Sequence, residues 1–125
     1  SEEEKKDFIK YANESLISES VPVLESFEMA FVNKEAWEKV DKNWRTGVEY
    51  IANQLTSVLE SNNLKKVDPL GKKFDPMRDE AVEFVPVSKE SEDHIIVAVI
   101  QKGYELNGRV IKAPKVKVGE FKKKE

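Results

Sequence analysis

Cysteine is absent from all 125 residues, which excludes a disulfide framework, a thiolate nucleophile and a cysteine-ligated zinc site. Histidine occurs once, at position 94. With no serine or cysteine constellation recognisable around it, His94 reads as a structural or surface residue and not as a catalytic base. The chain also lacks the HxxxH, DxDxDG and clustered-carboxylate spacings that hold metals. Glycine is scarce, and Gly103 and Gly108 stand where turns need them, not in a GxGxxG pattern opening a helix, so no phosphate-cradling loop is expected. No apolar run approaches the roughly 20 residues that a membrane helix needs, and the acidic opening Ser1 to Lys6 does not read as a secretory signal. Lys and Arg total 21 against 24 Asp and Glu, a net charge of −3. A general nucleic-acid binder is normally markedly basic, so DNA and RNA are not expected partners. These absences lead to the expectation of a soluble, intracellular, non-enzymatic protein without metal or cofactor.

The composition also shows how the chain is built. Hydrophobic residues make up 39% and charged residues 36%, a lean ratio for a lone globule and one typical of exposed helices that bury a narrow stripe. The first half carries no glycine before Gly47, has Pro22 as its only proline, and is rich in Glu, Lys, Ala and Leu, which predicts helices. Phe8, Ala12, Ser15/Leu16, Val23, Phe27, Ala30 and Phe31 roughly follow one helical face. Pro22 removes a backbone donor and predicts a kink in a nearly continuous first helix. Asn33 is the N-cap candidate of a second helix ending near Ser61 to Asn63. Within it Trp37, Val40, Trp44, Val48, Ile51, Leu55 and Val58 recur at steps of three and four, a heptad-like stripe. Two helices striped in this way predict a hairpin that buries its apolar side, Phe27 included, against a second copy as a four-helix bundle.

From Leu64 the punctuation changes. Asp68-Pro69, Gly71, Asp75-Pro76, Pro86, Gly103, Asn107-Gly108, Pro114 and Gly119 arrive in quick succession and predict short strands and turns. The expected division is therefore 1–63 as a helical dimerisation region and 64–125 as a β-rich head, an α+β chain with a dimeric coiled coil or four-helix bundle in front. Ala81 to Val87 alternates as a strand, and the nearly all-apolar His94 to Ile100 is expected to lie centrally in its sheet. Asn107-Gly108 predicts a type I′ turn joining Tyr104–Leu106 to Arg109–Ile111. Val116 and Val118 alternate with Lys115 and Lys117, predicting one buried and one solvated face. Glu90 to Asp93 reads as loop solvation and Lys122 to Glu125 as a solvated tail.

Three segments together resemble the GrpE family, nucleotide exchange factors of DnaK-type (Hsp70-type) chaperones. They are Val21-Pro-Val-Leu-Glu-Ser-Phe-Glu, the connector Asp68-Pro-Leu-Gly-Lys-Lys-Phe-Asp-Pro followed by Glu80-Ala-Val, and Gln101-Lys-Gly-Tyr-Glu-Leu-Asn-Gly-Arg-Val-Ile. The last is close to a family signature, and order and spacing match over about Lys6 to Val118. Gly47 also stands where the family's second helix carries a glycine. The resemblance implies a homodimer with paired helices and a β-domain that wedges against the nucleotide-binding domain of the chaperone, holding its cleft open over ADP. Carried over by position, it implies partner contacts at Phe74, Pro76, Glu80, Ala81, Ile100, Arg109 and Val118, with Phe27 to Val32 as a secondary area. It implies a bacterial cytoplasmic or mitochondrial-matrix setting, and a long N-terminal arm cut short before Ser1. Lys112-Ala-Pro-Lys-Val departs from the family's usual Arg-Pro-Ala-Met-Val. Met29 and Val32 stand where many members carry Arg and Glu. The competing reading is a non-catalytic dimeric scaffold whose β-head serves an unrelated partner.

Overall fold

A computed structural model describes residues 1–124 and divides the chain into two units, Ser1–Leu64 and the remainder from Lys65 on. Helices fill the first unit and short strands the second.

Helix α1 (Glu2–Val32) starts at a capping box: the Ser1 side chain accepts from the Glu4 backbone and the Glu4 carboxylate reaches back to Ser1. Glu2, Glu3 and Glu4 in its first turn complement the helix dipole. The helix continues through Pro22, although the ring deprives the Ser18 carbonyl of its usual donor. Buried residues on both sides, Ile17 and Val21 before or beside it and Leu24 after it, hold the helix together there. This buried face differs from the one expected from the sequence. Ile17, Val21 and Leu24 form it, whereas Phe8, Leu16 and Val23 are exposed.

The expected second helix is two helices. Helix α2 (Lys34–Glu38) is capped by Asn33, whose side chain accepts from the Ala36 amide. A break at Lys39–Asp41 follows, and α3 (Lys42–Ser61) begins anew with Asp41 Oδ2 accepting from Asn43 and Trp44 at 3.0 and 3.3 Å. Asp41 has extended backbone angles (φ −51°, ψ 136°), so its carboxylate competes with continuation of α2 and wins by satisfying two amides that a fresh helix leaves orphaned. Replacing it, Asp41→Ala, is expected to cost about 1 kcal/mol. Helical circular dichroism on heating would register this as an earlier melt.

Aromatic packing closes the helical unit where the chain reverses. Phe27 and Phe31 rings lie 6.2 Å apart, and Phe31 and Trp37 5.0 Å apart. The Trp37 indole also donates to Glu49 Oε1 at 3.3 Å. Along α3 the heptad-like stripe splits in two. Val48 and Leu55 are half-buried beside the buried Ala52 and Leu59, while Trp44, Ile51 and Val58 are 70, 56 and 57% exposed.

The second unit holds two three-stranded sheets. One has the order β1 (Leu64–Val67), β4 (Gly103–Leu106), β5 (Arg109–Lys112); the other has β2 (Glu80–Pro86), β6 (Lys115–Glu120), β3 (Ile96–Gln101). Strands β4 and β5 form the expected antiparallel hairpin. Its turn has positive φ at both Asn107 (52°) and Gly108 (81°), the backbone that only such residues adopt cheaply. Strand β6 runs parallel to β2 and antiparallel to β3. It is therefore β6, not the apolar His94–Ile100 segment, that lies centrally. Val116 and Val118 are fully buried with Ile96, whereas Ile100 on the flanking strand is 56% exposed. The start of β3 is bordered instead by the connector, where Gly71 and Phe74 donate to the Ile96 and His94 carbonyls.

The acidic stretch is also more than solvation. A 3-10 turn at Glu90–Glu92 leads to Asp93, whose Oδ1 accepts from the Phe121 amide at 2.9 Å and whose Oδ2 lies 3.2 Å from His94 Nε2. That carboxylate ties the end of the last strand to the turn. Lys122, Lys123 and Lys124 are exposed; Glu125, the rest of the expected tail, lies outside the described residues.

Candidate partner-binding surface

The residues singled out from the sequence lie on surfaces of the second unit, with one exception. Glu80 opens β2 and is exposed; Ala81 beside it is half-buried against the Ile96, Val116 and Val118 core. In the sheet register Glu80 and Ala81 stand opposite Lys115 and Val116, which face Gln101 and Val99 on the other side. Ile100 lies between those two, so Glu80, Ala81 and Ile100 share one end of one sheet. Lys115 and Lys117 run down its middle strand, with Lys117 Nζ 3.1 Å from Glu83 Oε2. The outer face is thus a lysine-centred strip with apolar flanks at Ile100 and Val82.

Phe74 has a double role. It is half-buried, packs on the same core, and meets the Phe84 ring edge-on at 6.4 Å. Removing it would disturb the fold as much as any contact. Val118 is the exception: it is completely buried, so its side chain supports the sheet from within and does not reach a partner. The alternation with Lys115 and Lys117 places Val118 on the buried face, as found; it is the contact implied by the resemblance that its burial corrects.

Arg109 stands exposed at the start of β5, opposite Leu106 and next to the Asn107-Gly108 turn. It belongs to the other sheet. What links the two groups is a residue that sequence reasoning passed over. Arg78 Nη2 lies 3.2 Å from Glu105 Oε2, and Glu105 pairs with Val110 in the hairpin. This ion pair brings the Pro76 turn alongside the hairpin that carries Arg109. Its partners are 27 residues apart, a separation with no local signature.

The turn itself is heavily hydrogen-bonded. Asp75 donates its amide to Asp79 Oδ2, Asp75 Oδ1 accepts from Met77, and the Asp75 carbonyl accepts from Arg78 and Asp79, all between 2.8 and 3.0 Å. Pro76 fixes one φ in the middle.

Among the described residues no group of three or more His, Asp or Glu side chains is placed to hold a metal ion, and no helix is long and apolar enough to cross a membrane. His94 is 70% exposed in its side chain and sits at φ 63°, in the turn before β3. Of the dimerisation candidates, Phe27 and Trp37 are engaged in the aromatic cluster described above, Val48 and Leu55 are half-buried, and Val40, Trp44, Ile51 and Val58 remain exposed.

These features define a two-unit α+β protein whose candidate residues are spread over exposed strands and turns. Comparison with known proteins agrees. A family model described as GrpE matches residues 1–120, and the chain belongs to the GrpE family. It is 40% identical over 115 residues to Protein GrpE of Methanosphaera stadtmanae and 44% identical over 115 residues to Protein GrpE of Thermotoga maritima, in each case 92% of this chain and 63% of the relative. Protein GrpE of Francisella tularensis is 38% identical over 107 residues, 86% of this chain and 54% of the relative. The chain thus spans less than two thirds of the length of these relatives.

Proposed function

We propose that this chain is a co-chaperone: a nucleotide exchange factor that binds the ATPase domain of a DnaK-type chaperone and promotes ADP release without bond chemistry of its own. The observation that carries the reading is the family match over nearly the whole chain, and the exposed positions Pro76, Glu80, Ile100 and Arg109 support it. The acting form is a homodimer. Each copy leaves Trp44, Ile51 and Val58 at seven-residue intervals on α3, Val40 in the break before it, and Ile9, Leu16 and Val23 at seven-residue intervals on α1, all more than a third exposed. An apolar stripe of that spacing is satisfied by a second copy packed along it. Cytoplasm or mitochondrial matrix is the setting where such a chaperone would be met.

The mechanism is differential binding. A surface that fits the open cleft better than the closed, ADP-filled one shifts the ATPase toward the open state, and linkage requires ADP to weaken the complex by the factor by which the complex weakens ADP. A thousandfold loss of ADP affinity corresponds to about 4 kcal/mol, within reach of an interface with a few apolar and arginine anchors. The test is release of a fluorescent ADP from a DnaK-type chaperone, with and without this chain. Wild-type protein is expected to accelerate release, and Arg109→Ala to slow the accelerated rate about tenfold, a loss of roughly 1.4 kcal/mol, with dimer mass unchanged. Release at the same rate with and without the wild-type chain would reject the proposal. Arg109 is a cleaner probe than Phe74, since Phe74→Ala would also open the core.

A further inference from the structure

The second unit carries its exposed candidate residues on two different sheets, Glu80 and Ile100 on one and Arg109 on the other. Among the described residues no strand ladder joins these sheets. The chain passes from one to the other at 101–103, between β3 and β4, and at 112–115, between β5 and β6. Gly103 lets the two crossings touch: a Cβ there would strike the Lys112 carbonyl oxygen and lie 2.6 Å from Pro114 Cδ. That close approach is a pivot, because contact at one point fixes a distance and not an angle.

A second tie stands away from the pivot. Arg78 Nη2 lies 3.2 Å from Glu105 Oε2, and Glu105 is two residues along β4 from Gly103, about 7 Å at the rise of a strand. Arg78 moves with the other sheet, because the turn that carries it is bonded at both ends to the segments leading into β3 and β6. The Phe74 amide donates to the His94 carbonyl and the Glu80 amide to the Pro114 carbonyl, each at 2.9 Å. The Arg78 and Glu105 side chains are 48% and 24% exposed, so water screens the pair only in part. A pair so placed adds little to stability. Its geometry matters more than its energy: pivot and tie together set the angle between the sheets, and with it the spacing of Glu80 and Ile100 from Arg109.

We propose that Arg78 and Glu105 are positioning residues, whose ion pair holds the two sheets at the angle at which Glu80, Ile100 and Arg109 meet the partner ATPase together. This rests on the exchange-factor reading above. A surface whose parts are already set relative to one another loses less freedom on docking. Loss of the tie is therefore felt in affinity although neither side chain touches the partner.

The test has two arms. The first is release of a fluorescent ADP from a DnaK-type chaperone at a subsaturating concentration of the full chain. Arg78→Gln is expected to lower the acceleration roughly three- to fivefold, the size that a partly exposed ion pair can supply. Glu105→Gln and the double variant are expected to lower it by the same factor, because either change removes the same tie. Two side chains that touched the partner independently would instead multiply their losses in the double variant. The second arm needs no chaperone. The chain has no cysteine of its own, so spin labels at Lys65→Cys on β1 and Val82→Cys on β2, both exposed positions, report the distance between the sheets. Arg78→Gln is expected to widen that distance distribution roughly twofold, with hydrogen-exchange protection at Ile96, Val116 and Val118 unchanged, since the pair lies outside that core. Exchange by Arg78→Gln at the wild-type rate, multiplied losses in the double variant, or a distribution as narrow as wild type would each overturn the proposal. Failure of the wild-type chain to accelerate release, with a distribution that does widen in Arg78→Gln, would reject the exchange-factor reading and the tie's role in it, the tie itself standing as a feature of the fold.

Discussion

Gly119→Ala is expected to destabilise the β unit by about 3 kcal/mol, the upper part of the usual range for forcing atoms into a closed site. Gly119 lies in the central strand, where its amide donates to the Ile95 carbonyl at 2.8 Å and its own carbonyl accepts from His94 at 2.9 Å. These two bonds hold the Glu90–His94 turn against β6. A Cβ added at this position would collide with the Glu92 carbonyl oxygen and lie 3.1 Å from a Val87 methyl. The first obstacle is backbone in a turn that is itself fixed by the Asp93 to Phe121 hydrogen bond, so neither side can yield cheaply. Against a typical domain stability of about 5–15 kcal/mol, such a loss unfolds a visible fraction of molecules. Amide hydrogen exchange at Ile96, Val116 and Val118 would show it as faster exchange. Gly47→Ala is the control, since nothing lies within 4 Å of the added atom and the site is mid-helix. Equal protection of the β-strand amides in wild type and Gly119→Ala would mean that the turn moves aside, and the argument from close approach would be wrong.

The contrast between these two glycines shows what was readable in advance. Where a structural demand is local, the residues announce it: Asn107-Gly108 takes two positive φ angles in the hairpin, Asn33 caps a helix, and Val116 and Val118 alternate into the core. Demands set by distant segments leave no such mark. Nothing near Gly119 in the sequence points to Glu92, and nothing near Arg78 points to Glu105. The order of the second sheet was missed for the same reason. The apolar content of His94–Ile100 predicted a central strand, yet position in a sheet depends on which strands flank it, and β6 with its two lysines has neighbours on both sides. In the helical unit the stripe read as one face is interrupted at Lys39–Asp41 and divided along α3, where Val48 and Leu55 are half-buried while Trp44, Ile51 and Val58 are exposed. Helical periodicity reports which residues avoid water. It does not say whether the cover comes from the same chain or another.

That last ambiguity leads to the second large effect. Ile51→Asp is expected to abolish self-association at micromolar concentration, raising the dimer dissociation constant at least a thousandfold, or about 4 kcal/mol. Ile51 stands between Trp44 and Val58 at seven-residue spacing, beside a shallow groove lined by Asn43, Trp44, Gly47 and Val48. Within one chain it is 56% exposed, so a carboxylate there stays hydrated and leaves the folded monomer nearly untouched. In an apolar seam between two copies the same carboxylate would be stripped of water, in both copies at once, and an uncompensated buried charge costs several kcal/mol. Ala52→Asp makes the opposite comparison, since Ala52 is buried in the single chain at 4% exposure and should unfold the helices before any question of pairing arises. Sedimentation equilibrium of the two variants beside wild type separates the cases. A wild-type chain that sediments as a monomer, or an Ile51→Asp chain that remains a dimer, would show that the exposed half of the α3 stripe is covered by something other than its own copy.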